Sequence, residues 1–203
     1  MTITYQVRNA IYVNLTNRCP CACTFCLRSN GPGVYGSDSL WLEREPTVEE
    51  AIATLPQWDF KAFPELVFCG YGEPTERLDA ILAIARHMRE HYPWVKIRVN
   101  TNGLSDLIAG EPTVAKFKGL VDVFSISLNT PDPAEYLAVC RPKFGEAAYP
   151  AMLKFAEEAR RSDMEVVMTV VDEPVTSKAK QAECQAICDR LGVRLRVRPY
   201  EDK

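Results

Sequence analysis

The sequence of 203 residues predicts an α/β fold: a partial (β/α)6 barrel of parallel strands with outer helices. Three observations carry this. Six strand-like runs alternate with helix-like stretches, the order that builds parallel βα units with right-handed crossovers. The run Pro64–Gly70 carries the uninterrupted apolar stretch Leu66–Cys69, as expected of a strand in a parallel sheet covered by helices. Eight such units close a barrel of about 250 residues, so six in this length leave it open. No linker, low-complexity run or composition shift divides the chain, and a single domain over residues 1–203 is expected.

The elements follow in order. Ala10–Leu15 reads as the first strand. Leu27–Glu45 is irregular, with glycines, a proline and the bulky Tyr35 and Trp41, and a connection this long is usually functional. Thr47 and Glu50 form a capping-box pattern that opens a short helix. After the Pro64–Gly70 strand, Thr75 is expected to cap a helix running to Tyr92, whose stripe Leu78, Ile81, Leu82, Ala85, Met88 and Tyr92 has helical spacing. His87 and His91 lie off that stripe and read as solvent-facing rather than as a metal pair. Strands are expected at Trp94–Val99, Val121–Leu128, Met164–Val171 and Val193–Val197. Helical pieces fill 104–118, a short helix follows Pro133, and longer helices span Ala147–Ser162 and Ser177–Leu191.

A formal net charge of −3 argues against a general electrostatic grip on nucleic acid or anionic lipid. No run approaches the roughly 20 apolar residues of a membrane helix, and the N-terminus lacks the basic-then-apolar order of a secretory signal. Cytoplasmic residence is the default expectation. The eight cysteines then point to metal or redox chemistry rather than to a disulfide framework. Cys184 and Cys188, four apart on one helix, read as packing thiols.

Four cysteines crowd the loop after the first strand: Cys19-Pro-Cys21-Ala-Cys23-Thr-Phe-Cys26. A zinc site could use four cysteines. An iron–sulfur site could instead choose Cys19, Cys23 and Cys26, spaced C-x3-C-x2-C, with Cys21 a bystander. An electron carrier would add Cys21 as a fourth ligand, although it lies only two residues from Cys19 and from Cys23. Polar, glycine-containing segments also follow the next strands: Gly70-Tyr-Gly72-Glu73-Pro74, then Asn100-Thr101-Asn102-Gly103, then Ser125, Ser127 and Asn129. In parallel α/β folds ligands bind at these C-terminal strand ends. Gly110-Glu-Pro-Thr113 repeats part of the glycine motif but lies between helical segments, and reads as a helix end followed by a new start.

The C-x3-C-x2-C subset with Phe25 before its last cysteine, together with Gly70–Pro74, resembles the radical SAM superfamily, whose core fold is also a partial barrel. The run Asn9–Cys19 further resembles the small TatD-associated radical SAM proteins. The resemblance implies a [4Fe-4S] cluster on Cys19, Cys23 and Cys26, with one iron left open to chelate S-adenosylmethionine (SAM). It implies that Gly70, Gly72, Glu73 and Pro74 lie against the SAM amino group, Asn100, Thr101 and Asn102 near its ribose and carboxylate, and Ser127 and Asn129 on the fourth strand beside it. Phe25 would pack against the cluster or the adenine. The implied reaction is reductive cleavage of SAM to a 5′-deoxyadenosyl radical that abstracts hydrogen from an unidentified small-molecule or macromolecular substrate. An electron donor such as flavodoxin or ferredoxin is implied as partner. A non-catalytic iron–sulfur or zinc module is the alternative. No second cysteine cluster suggests an auxiliary site. Tyr35 and Trp41 are expected to help form a lid, and Arg141 and Lys143 are weighed as anion contacts against plain surface charge.

Overall fold

A computed structural model describes residues 1–34 and 36–200. One sheet of seven strands runs in sequence order: β1 (Thr4–Val7), β2 (Ala10–Val13), β3 (Glu65–Phe68), β4 (Lys96–Thr101), β5 (Val123–Ser127), β6 (Glu165–Val171) and β7 (Arg194–Arg198). From β2 to β7 every neighbour is parallel, which gives the expected six-strand half barrel. β1 is an addition, paired antiparallel to β2 with Tyr5 opposite Tyr12. Its signal was short: Ile3, Tyr5 and Val7 are buried and alternate with Thr4 and Gln6, and Arg8 turns the hairpin with a φ of 54°.

The helices α1 (Val48–Ala53), α2 (Leu78–His91), α3 (Ser105–Ala109), α4 (Val114–Phe117), α5 (Pro133–Cys140), α6 (Ala148–Arg161) and α7 (Lys178–Leu191) fill the connections after β2. Their apolar faces bury the convex side of the sheet. Ile81, Ile84, Ala85 and Met88 of α2 are fully buried, and Phe124 of β5 stacks edge-on between Phe117 and Phe155. Cys184 and Cys188 are fully buried on α7, as packing thiols should be. The Thr47 capping box is present, and Gly110 closes α3 in the left-handed conformation that glycine tolerates best. His87 and His91 stack on one another at the outer side of α2 with centroids 4.1 Å apart.

Two expectations move. Thr75 does not cap α2: a 3-10 turn over Pro74–Arg77 intervenes, and the cap of that turn is Glu73, whose carboxylate accepts from Thr75 N–H. The strand expected from Trp94 begins at Lys96, and Trp94 instead donates its indole N–H to the Phe60 carbonyl. Alternation along the strands sets up the site. In β4, Ile97 and Val99 are fully buried, while Arg98 and Asn100, alternating with them, line the concave face. That face is an open cavity of about 600 Å³, within the size range of small-molecule sites. No helix among the described residues is long and apolar enough to cross a membrane.

Candidate active site

The cysteine loop is anchored from two sides. Glu73 N–H donates to the Arg18 carbonyl at 2.8 Å, tying the loop to the end of β3. On the other side Ala22 N–H and Thr24 N–H donate to Cys140 and Val139 at the end of α5, and Lys143 N–H donates to Pro20. The Cys-Arg-Pro-Lys segment is therefore a dock for the cysteine loop. Arg141 and Lys143 lie outside the cavity lining; Lys143 Nζ lies 3.8 Å from Glu76 and Arg141 Nε donates to Ala138. The anion role weighed for them has no support in this arrangement.

Cys19, Cys23, Cys26 and Phe25 line the cavity mouth, and so do Gly70, Gly72, Glu73, Asn100, Thr101, Asn102, Ser127 and Asn129. Of the residues the resemblance implies for the cluster and SAM, Pro74 alone falls outside it, buried at the start of the 3-10 turn. The cavity also collects Cys21, Cys69 and Cys140, so six of the eight cysteines face one space. Cys69 and Cys140 were not singled out for the site. The register that places Cys69 after a buried strand was a usable signal, whereas Cys140 reaches the cavity only through the docking of α5.

The thiols are electrostatically unequal. The neighbouring Cys140 and Cys21 side chains hold the Cys23 thiol down to about 4, and Cys21 lowers Cys19 as well. Cys21 and Cys140 are pushed up by hydrogen bonding to those same neighbours, and burial raises Cys26. Cys21 is 5% exposed, with Asn102 Nδ2 3.7 Å from its sulfur, and it forms an isolated bridge with Pro142. Among the described residues no group of three or more His, Cys, Asp or Glu side chains is arranged to hold a single metal ion.

Glu73 is the hub of the rim. Its Oε1 accepts from Thr75 N–H, Thr75 Oγ1 and Thr101 Oγ1, and its Oε2 accepts from Asn102 N–H at 2.7 Å. Burial raises its pKa while these donors pull the other way. The carboxylate thus clamps the end of β3 to the end of β4, a structural task beyond the ammonium contact expected of it. The glycines beside it are sterically required: a Cβ on Gly72 would lie 2.3 Å from the Thr16 carbonyl oxygen, and one on Gly70 would lie 2.0 Å from Asn14 Oδ1. Tyr71, which splits the paired glycines, is 6% exposed and donates to the Gly31 carbonyl at 2.7 Å.

The 27–45 connection is thereby strapped down. Asn14 holds Leu40, Asn17 holds Leu42, and Glu45 accepts from Thr16, Arg18 and Arg77. Val34 and Leu40 line the cavity, but Trp41 does not: it is 43% exposed and packs edge-on against Tyr71. Tyr35, the other residue expected in a lid, lies outside the described residues.

An iron–sulfur cluster takes thiolate ligands, and three half-buried thiols at one mouth supply that donor set. Beside them, the buried amide oxygens Asn100 Oδ1 and Asn129 Oδ1 have no hydrogen-bond partner. Buried polar groups are normally paired, so a polar ligand in this cavity fits these residues.

The family model described as the Radical SAM superfamily matches residues 13–178. The chain belongs to this superfamily, and membership implies a [4Fe-4S] cluster and SAM as cofactors. Among solved structures, it is similar to Streptococcus suis SuiB bound to precursor peptide SuiA, with TM-score 0.67 and 16% identity over 94% of this chain and 39% of that one. SuiB bound to S-adenosylmethionine gives TM-score 0.65 and 17% identity over 94% and 38%. A radical SAM methyltransferase from Sphaerobacter thermophilus gives TM-score 0.65 and 16% identity over 97% and 68%. At such identities these show the shared fold, and the chain spans about two fifths of the SuiB structures. No curated protein matches the chain, and the TatD-associated resemblance rests on the Asn9–Cys19 run.

Proposed function

We propose that the chain is a radical SAM enzyme in which Cys19, Cys23 and Cys26 ligate the cluster and the rim after β3, β4 and β5 holds SAM. The observation that carries this is convergence: the three cysteines and polar residues from three successive strand ends line one cavity. The bound cofactors supply the chemistry, reductive cleavage of SAM to a 5′-deoxyadenosyl radical that takes a hydrogen atom from the substrate.

The residues of the chain bind and orient. The neighbours that lower Cys19 and Cys23 favour thiolates for ligation. Gly70 and Gly72 expose backbone to the SAM amino group, and Glu73 fixes that backbone by its four hydrogen bonds. Asn100, Asn129 and Ser127 offer side-chain groups to the ribose and carboxylate. Phe25 shields the mouth, and Tyr71 with Val34 and Leu40 closes the side beneath the long connection.

A one-electron donor such as flavodoxin or ferredoxin is the expected partner. All eight cysteines are unpaired, as suits a reducing cytoplasm. The test is anaerobic reconstitution with iron and sulfide, followed by SAM and dithionite. 5′-Deoxyadenosine should form, and a reconstituted cluster that yields none contradicts the proposal.

A further inference from the structure

The chain as a whole is acidic, with a formal net charge of −3, yet its cavity is not. The charged residues lining the cavity are five arginines against Glu65 and Glu73. Glu73 is consumed by the rim hydrogen bonds, and Glu65 is paired with Arg98 at 3.1 Å. Arg28 stands beside the cysteines, where it helps lower Cys23, and Arg8 sits in the β1–β2 turn. Lower on the same sheet, Lys96 and Arg194 share Glu165.

That leaves Arg196 and Arg198 on β7. Among the described residues neither guanidinium has a carboxylate partner. The acidic residue whose N–H donates to the Arg198 carbonyl, Asp172, has its own carboxylate occupied by Lys178 and Gln181. Arg198 Nε is buried without a hydrogen-bond partner, a costly state for a charged group. Charge on an edge strand also deters edge-to-edge pairing, but that purpose needs only exposed side chains and leaves the buried Nε unexplained.

The register locates the pair. Ser127, Thr169 and Arg196 are aligned across β5, β6 and β7. With strands about 4.8 Å apart, Arg196 stands about 10 Å across the sheet from Ser127. Arg198 and Arg98 both bear electrostatically on Cys69, so their positive charges act within the same cavity. We infer that Arg196 and Arg198, backed by Arg98, form a subsite for an anionic group of the substrate, a carboxylate or a phosphate. Guanidinium groups suit this because their planar donors match both anions bidentately. The inference rests on the proposed function in one respect, that the substrate shares this cavity.

The test needs neither cluster nor SAM, so it is read separately from 5′-deoxyadenosine formation. Inorganic phosphate and, separately, succinate are titrated into the full chain at constant ionic strength, with binding followed by calorimetry. At least one should bind, and the double substitution Arg196→Gln/Arg198→Gln should weaken its Kd by about tenfold or more, as loss of charged hydrogen bonds predicts. Arg161→Gln, which removes a charge paired with Glu157 on the outer helix α6, should leave binding unchanged. Phosphate alone would indicate a phosphate ester, succinate alone a carboxylate, and both an anion site tolerant of either. If the double variant does not give a native thermal melt, Arg196→Gln carries the test, since that side chain is exposed. Absence of binding to the unmodified chain, or equal binding to the arginine variant, overturns the inference.

Discussion

The chain contains Gly-Glu-Pro twice, at Gly72–Pro74 and Gly110–Pro112, and the two copies share letters but no environment. The first follows β3, and its glutamate is 4% exposed and receives four hydrogen bonds that join two strand ends. The second lies between α3 and α4, all three residues exposed, and Glu111 pairs only with Lys116 on the surface. Gly72 is needed because backbone oxygens of Thr16 and Arg18 crowd it; Gly110 is needed because its φ is 73°, with open space around it. A short motif therefore acquires its meaning from the strand in front of it and the loop it faces.

The comparison can be broken by substitution. Gly72→Ala should cost the most, about 1–3 kcal/mol, because the clash is with backbone and resembles overpacking. Gly110→Ala should cost about 1 kcal/mol from its dihedral angle alone. Urea unfolding of both variants checks this, and a larger loss at Gly110 would reverse the account. Glu73→Gln should destabilise by about 1–3 kcal/mol, since an amide donor would face buried donors that now share a carboxylate. Glu111→Gln should stay within about 0.5 kcal/mol, as exposed ion pairs do. Smallest of all, Trp41→Ala should leave 5′-deoxyadenosine formation unchanged, because Trp41 lies outside the cavity lining; a clear loss in that assay would restore its role in a lid.

Much of this molecule was legible in its sequence. β3 and β6 announced themselves because near-continuous burial makes apolar runs, β4 and β7 showed instead as alternation of apolar and polar residues, and the cysteine spacing is local. Gly110 was separated from its double by the missing strand before it. What escaped depends on contacts distant in sequence. β1 is four residues long and its pattern needs β2 beside it. Glu73 reads as a ligand contact until Thr101 and Asn102, 28 and 29 residues away, are seen to occupy it. Tyr71 looks like an interruption of the glycines until Gly31 receives its hydroxyl. Nothing in the sequence marks Arg196 and Arg198, and only the sheet register brings them to the cavity.

The central claim is that three of the four clustered cysteines hold the cluster and the fourth does not. Cys21 differs from the others in being 5% exposed and in holding its proton more tightly. The most direct measurement is iron content and 5′-deoxyadenosine yield after anaerobic reconstitution of Cys21→Ala and Cys23→Ala side by side. The account predicts that Cys21→Ala keeps both largely intact and that Cys23→Ala loses both. Loss in Cys21→Ala with retention in Cys23→Ala would contradict it.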